Sequence, residues 1–217
     1  MSLHLPKVYP ITDTHLSGLS HAQQVARLIE GGASLIQLRD KHAAPRDFYR
    51  EAAAALQFAR AHNARLIIND RVDIALALKA DGVHLGQTDL PVEAARSLLG
   101  NEAIIGFSTH NAEQAQLATS MPLDYIAFGP LFATSTKENP DPVAGLSALA
   151  EVRAVTRSLP LVGIGGITLA NAFEAINAGA DSLAVICALV ADPFRIAENT
   201  KKMFILTSPA ANTPSVG

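Results

Sequence analysis

Short, wholly apolar segments alternate along the chain with longer stretches whose apolar positions recur every three to four residues, almost to the C-terminus. Residues 8–12, 35–38, 66–68, 82–85, 104–107, 125–128, 161–164 and 183–186 read as strands. Residues 22–30, 46–61, 72–79, 92–98, 112–119, 148–156, 169–177 and 194–203 read as helices. The strands are continuous apolar runs without in/out alternation, the pattern of a sheet covered on both faces. Eight βα units in 217 residues leave about 27 residues for each. The expected fold class is therefore α/β, a (β/α)8 TIM barrel; an open doubly wound sheet, which usually has fewer units, is the alternative.

Two segments interrupt this rhythm. Residues 129–145 carry Pro130, Pro140 and Pro142 without a helical period, so a long loop is expected after the sixth strand. Loops beyond about 12–15 residues in a compact domain are usually functional or disordered. Residues 207–217 are rich in Pro, Ser, Ala and Asn and read as a disordered tail behind a single catalytic domain over 1–206.

Apolar residues make up 49% of the chain and charged residues 17%, enough for a large core. The formal charge of −3 argues against a nucleic-acid partner. The longest strictly apolar run, residues 183–191, is nine residues, far below the ~20 needed to span a bilayer, so no membrane partner is expected. The start has no apolar core of the secretory kind, and the one cysteine, Cys187, excludes an internal disulfide framework. Both point to the cytoplasm.

In a barrel, chemistry collects where strands end and βα loops begin. Those positions hold Gln37-Leu38-Arg39-Asp40-Lys41, Asn69-Asp70-Arg71, His84-Leu85-Gly86-Gln87-Thr88-Asp89, Ser108-Thr109-His110, Thr134-Ser135-Thr136-Lys137, Gly163-Ile164-Gly165-Gly166 and Ile186-Cys187. Gly165-Gly166 reads as a glycine turn opening a helix. It is either an anion site of backbone N–H groups or simply a turn that needs positive φ. Arg39, Lys41 and Lys137 could line a second anionic pocket, or stand on solvated loop edges. Asp70 and Asp89, on adjacent strand ends, could share Mg²⁺, which takes few protein ligands; each also reads as a helix N-cap. His84 reads as a hydrogen-bonded residue inside the barrel, His110 as the entrance to the next helix, and Cys187 as a small buried hydrophobe. No Ser-His-Asp set, zinc constellation or P-loop is present.

Taken together, Ile11-Thr12-Asp13, Gln37-Leu38-Arg39-Asp40-Lys41, Asn69-Asp70-Arg71-Val72-Asp73, His84-Leu85-Gly86-Gln87, Ser108-Thr109-His110, Gly129-Pro130 through Thr134-Ser135-Thr136-Lys137, and Ile164-Gly165-Gly166-Ile167 resemble the thiamine-phosphate synthase family. The resemblance spans residues 9–193, in order. It implies a (β/α)8 barrel that joins hydroxymethylpyrimidine pyrophosphate to hydroxyethylthiazole phosphate, requires Mg²⁺ and releases pyrophosphate. Asp70 and Asp89 resemble its metal ligands. Arg39, Lys41, Asn69 and Lys137 resemble its pyrophosphate clamp, with Arg39, Lys41 and Lys137 as the cations that stabilise the leaving group. Gln37 and Ser108 resemble its pyrimidine contacts. Thr134 and Thr136, with the backbone near Gly165, Ile186 and Cys187, resemble its thiazole-phosphate site. Cys187 departs from the family's common serine, Ser135 stands where proline is frequent, and Pro10 is unusual in the first strand. The rivals are a thiazole tautomerase-like isomerase, a generic phosphosugar isomerase barrel and a non-catalytic precursor-binding protein. A homo-oligomer is compatible with all of them.

Overall fold

A computed structural model describes residues 3–134 and 142–208. Eight strands, β1 (Val8–Pro10), β2 (Leu35–Leu38), β3 (Arg65–Asn69), β4 (Gly82–Leu85), β5 (Ile104–Thr109), β6 (Tyr125–Phe128), β7 (Leu161–Ile164) and β8 (Ser182–Val185), form one sheet. Every pair is parallel, and the order is β1-β8-β7-β6-β5-β4-β3-β2. Neighbours in sequence are neighbours in space, which excludes the open doubly wound alternative. The barrel closes between β1 and β2 through a single parallel bridge, Ile11 to Gln37, and the Thr12 N–H donates to the Gln37 carbonyl at 2.9 Å.

Helices α1 (Thr14–Ser17), α2 (His21–Glu30), α3 (Pro45–Ala61), α4 (Val72–Leu78), α5 (Val92–Leu99), α6 (Ala112–Ala118), α7 (Gly145–Thr156), α8 (Ala172–Asn177), α9 (Cys187–Val190) and α10 (Ile196–Thr207) follow the strands in turn. Two cores result from the two-residue period of the strands. Inward positions Tyr9, Leu35, Ile67, Ile104, Tyr125, Val162 and Ala184 fill the barrel, with Leu5 packed into the same cluster. Outward positions such as Ile36, Leu66, Val83, Ile105 and Ile126 pack against the helices. Both faces being dry explains why the strands read as unbroken apolar runs.

Several boundaries differ from the sequence reading. The expected first strand ends at Pro10, because Ile11 turns to bridge β2. Helix α8 starts at Ala172 rather than directly at the glycine turn. Asn171 holds the intervening loop, accepting from the Thr168 N–H at 2.7 Å and donating to the Gly166 carbonyl at 2.9 Å. Helix α10 runs to Thr207, so the domain passes the expected boundary at 206: Thr207 is buried and its hydroxyl donates to the Met203 carbonyl at 2.9 Å. No described helix is long and apolar enough to cross a membrane.

The base of the barrel repeats one device. Asp81, Asp124 and Asp181 stand immediately before β4, β6 and β8. Each carboxylate accepts the N–H of Leu66, Ile105 or Leu161 in the preceding strand, every time at 2.8 Å. Arg96 pins the middle one, donating to Asp124 at 2.7 Å and to the carbonyls of Pro122, Gly100 and Ala103. Asp124→Ala leaves the Ile105 N–H without its acceptor and removes the carboxylate partner of Arg96, which keeps only its carbonyl contacts. It is expected to cost about 2 kcal/mol, lowering the melting temperature by roughly 4–8 °C, measurable by thermal unfolding.

Candidate active site

The inward period that builds the core also aims polar side chains at the carboxyl ends of the strands. Gln37, Asn69, His84 and Ser108 fall on inward positions of β2, β3, β4 and β5. They line a cavity of about 860 Å³, together with Arg39, Lys41, Asp70, Asp89, Thr134, Gly165, Ile186 and Cys187. That volume lies within the range of small-molecule sites. Thr136 and Lys137 lie outside the described residues.

The β2–α3 loop is shaped by Asp40. Its carboxylate accepts the N–H groups of His42 and Ala43, each at 2.9 Å, and the Thr14 hydroxyl at 3.0 Å. Partial burial opposes ionisation there, but these hydrogen bonds prevail and hold the carboxyl below its ordinary range. The loop thereby turns Arg39 and Lys41 to the cavity. The Arg39 guanidinium lies 3.9 Å from Asp13, whose carboxylate caps α1, and the Lys41 ammonium contacts Asp70.

Neither Asp70 nor Asp89 caps a helix, contrary to that reading of the sequence. Asp70 adopts φ 62°, a left-handed conformation that aspartate tolerates better than most residues, and Arg71 is the uncapped start of α4. Asp89 accepts the Gly86 N–H at 2.6 Å, closing its own loop, while Pro91 begins α5 without a side-chain cap. The two carboxyls converge. Burial foremost, and then the Asp70 charge, raise the Asp89 pKa against the Gly86 hydrogen bond. Two oxygen donors whose charges repel fit a small hard cation that completes its shell with water and phosphate oxygens. Among the described residues no group of three His, Cys, Asp or Glu is gathered, so a closed metal cage is not what these residues offer.

Gly165 and Gly166 have φ 96° and 67°, as the turn reading requires. They also admit a close approach: a Cβ on Gly165 would lie 2.5 Å from Pro130 Cα, and one on Gly166 2.5 Å from the Ala133 carbonyl oxygen. The loop after β6 is thus seated directly on the glycine turn. Leu131 and Phe132 donate their N–H groups to Ile164 and Gly165 at 2.9 and 3.0 Å.

Cys187 is exposed, correcting the expectation of a small buried hydrophobe. The apolar run around it breaks after Val185, and Cys187 opens α9 at the cavity wall. His84 is hydrogen-bonded inside the barrel as read, and His110 Nδ1 meets the Gly129 carbonyl at 2.9 Å. Sequence reasoning missed Tyr9, whose ring belongs to the barrel core while lining the cavity, and placed Gln87 at a strand end without giving it a role; its side chain donates to the Ser108 carbonyl at 2.5 Å. Tyr9 counts as apolar in a hydrophobic pattern; its inward phase on β1 was the available signal.

A closed barrel of eight parallel strands, with a cavity at their carboxyl ends whose largely apolar wall carries carboxylates and cations, defines an enzyme of the (β/α)8 class. A family model described as thiamine monophosphate synthase matches residues 8–189. The chain belongs to that family, and it is a transferase of thiamine biosynthesis. Thiamine-phosphate synthase of Koribacter versatilis is 46% identical over 198 residues, covering 88% of this chain and 92% of the relative. That of Chloroflexus aurantiacus is 45% identical over 186 residues, covering 85% of each. The solved thiamine phosphate pyrophosphorylase from Pyrococcus furiosus superposes with a TM-score of 0.83 at 35% identity, over 93% of this chain and 95% of that one.

Proposed function

We propose that this chain transfers the pyrimidinylmethyl group of hydroxymethylpyrimidine pyrophosphate to the ring nitrogen of hydroxyethylthiazole phosphate, giving thiamine phosphate and pyrophosphate. The observation that supports this most is the gathering of Gln37, Arg39, Lys41, Asn69, Asp70, Asp89 and Ser108 around one cavity from four successive strands and their loops. Gln37 and Ser108 orient the pyrimidine ring. Arg39, Lys41, Asn69 and Lys137 hold the pyrophosphate. Thr134 and Thr136, with the backbone at Gly165, Ile186 and Cys187, seat the thiazole phosphate.

The bond from the pyrimidine methylene to the pyrophosphate oxygen breaks, and its electron pair leaves with the pyrophosphate. The thiazole nitrogen lone pair then forms the new C–N bond, through a cation stabilised by the aminopyrimidine. No side-chain nucleophile is required; positioning and charge stabilisation suffice. A unit charge pair at 4 Å is worth about 4 kcal/mol at an effective dielectric of 20, so Arg39, Lys41 and Lys137 can lower the barrier substantially. Asp70 and Asp89 would hold Mg²⁺, which when bound neutralises charge on the departing group. The apolar walls at Ile11, Val162 and Ile186 keep water from the cation.

The test is to mix purified protein with both precursors, with and without Mg²⁺, and follow thiamine phosphate by mass. Product that needs both substrates and the metal establishes the reading. Absence of product from folded, precursor-binding protein turns attention to a tautomerase or a binding protein. Lys137→Ala is expected to lower kcat by about 100-fold with little change in KM, as for loss of a group acting mainly in the transition state. Steady-state kinetics with unchanged turnover and a raised KM would contradict that role.

A further inference from the structure

Five side chains from five strands form one unbroken hydrogen-bonded line through the barrel interior. Gln37 Nε2 donates to Tyr9 Oη at 3.1 Å, and Tyr9 Oη meets Tyr125 Oη at 2.9 Å. Tyr125 Oη meets His84 Nδ1 at 2.9 Å, and His84 Nε2 meets Ser108 Oγ at 2.8 Å. Both ends of the line, Gln37 and Ser108, face the cavity, while the Tyr125 phenol between them is completely buried.

Each inner member has one hydrogen to give: an O–H on either phenol, and one N–H on a neutral imidazole whose other nitrogen is bare. For each of those hydrogens to find its partner within the line, all gaps have to point the same way. In the first polarity the hydrogens run from Gln37 to Ser108. His84 is then the Nε2–H tautomer, Gln37 turns its Oε1 to the cavity, and Ser108 offers its O–H. In the second, the Gln37 amide is turned over, His84 is the Nδ1–H tautomer, Gln37 offers its NH₂ and Ser108 a lone pair. A mixed line, in which one phenol oxygen accepts from both sides, leaves that phenol's own hydrogen without a partner in the buried line, which is costly. Burial pushes both phenol pKa values far up, so neither loses the hydrogen it contributes.

We propose that Tyr9, Tyr125 and His84 are positioning residues that couple Gln37 to Ser108, so that the cavity always presents one hydrogen-bond acceptor and one donor. In the first polarity that pair complements a ring carrying an amino group beside a bare ring nitrogen. A 4-oxo ring, with its donor and acceptor exchanged, can be met only by reversing the whole line. The inference rests on the reading of Gln37 and Ser108 as the pyrimidine contacts. It makes selectivity for the amino over the oxo pyrimidine a property of residues that need not touch the ring themselves.

Histidine ¹⁵N shifts in the intact, ligand-free protein report the His84 tautomer directly. The expected result is a single Nε2–H form in the wild type. Gln37→Glu, whose carboxylate can only accept from Tyr9 Oη and does not contact His84, is expected to reverse the line and give the Nδ1–H form. An unchanged Nε2–H tautomer in Gln37→Glu, or an imidazolium at His84 in the wild type, overturns the coupling. In kinetics, Tyr125→Phe is expected to raise KM for hydroxymethylpyrimidine pyrophosphate about tenfold, the scale of one buried hydrogen bond, with KM for the thiazole phosphate unmoved. Equal changes in both KM values mark a merely structural residue and overturn it too. Should the wild type make no thiamine phosphate, the reaction reading fails, while the tautomer measurement still decides whether the line is coupled.

Discussion

Asp89→Asn is expected to reduce turnover by about 100-fold or more, the scale for losing a preorganised electrostatic group, while making the protein slightly more stable. The asparagine Oδ1 keeps the acceptor for the Gly86 N–H, so the loop geometry survives. What disappears is a negative charge that burial and Asp70 both disfavour. The sign follows from proton linkage. A carboxyl whose pKa is raised on folding binds its proton more tightly in the folded state. Stability therefore falls as pH rises from the ordinary carboxylate pKa through the raised one, and the loss is complete at neutral pH. The site is partly exposed and water screens the charges, so the penalty is about 0.5 kcal/mol, a rise of about 1–2 °C in melting temperature on substitution. Thermal unfolding at pH 7 alongside the product assay reads both effects. A variant that loses both stability and activity would falsify the idea that these two carboxylates are held together for function against their own repulsion.

The second large effect is expected at Gly106, on the inward face of β5. A Cβ there would lie 2.0 Å from Tyr125 Cζ and 2.3 Å from its Oη. The Tyr125 ring is fully buried and cannot retreat. Gly106→Ala is therefore expected to destabilise the fold by about 3 kcal/mol or more, a drop of roughly 6–12 °C in melting temperature. Gly106→Val is expected to yield little soluble protein. Adding Tyr125→Leu to Gly106→Ala should recover part of the loss; no recovery would place the cause elsewhere than in this contact.

Much of this fold was legible because both barrel faces are apolar: β2, β4, β6 and β7 begin and end where the runs do. Helices α1 and α9 were not, since four residues make barely one turn and cannot show a recurring period. Capping by Asp70 and Asp89 was misread because composition shows a carboxylate before a helix but not its backbone. The left-handed turn at Asp70 carries the side chain away from the helix, and the Gly86 N–H claims Asp89 first. Cys187 was misread because an apolar run does not show where a strand stops and a helix turn begins. The candidate residues that line the cavity were legible by position, each at the carboxyl end of a strand or in the loop after it. The line through Tyr9 and Tyr125 was not, because pairing them depends on two rings meeting across 116 residues of sequence.

The three aspartates that pin one strand to the next, Asp81, Asp124 and Asp181, all stand at the end of the barrel opposite the cavity. Groups that far apart, sharing no partners, contribute to stability nearly independently. Drift among the loops that select substrates is thus insulated from the joinery that keeps the strands in register. A descendant of this chain can trade one chemistry for another at the mouth while inheriting its foundation intact.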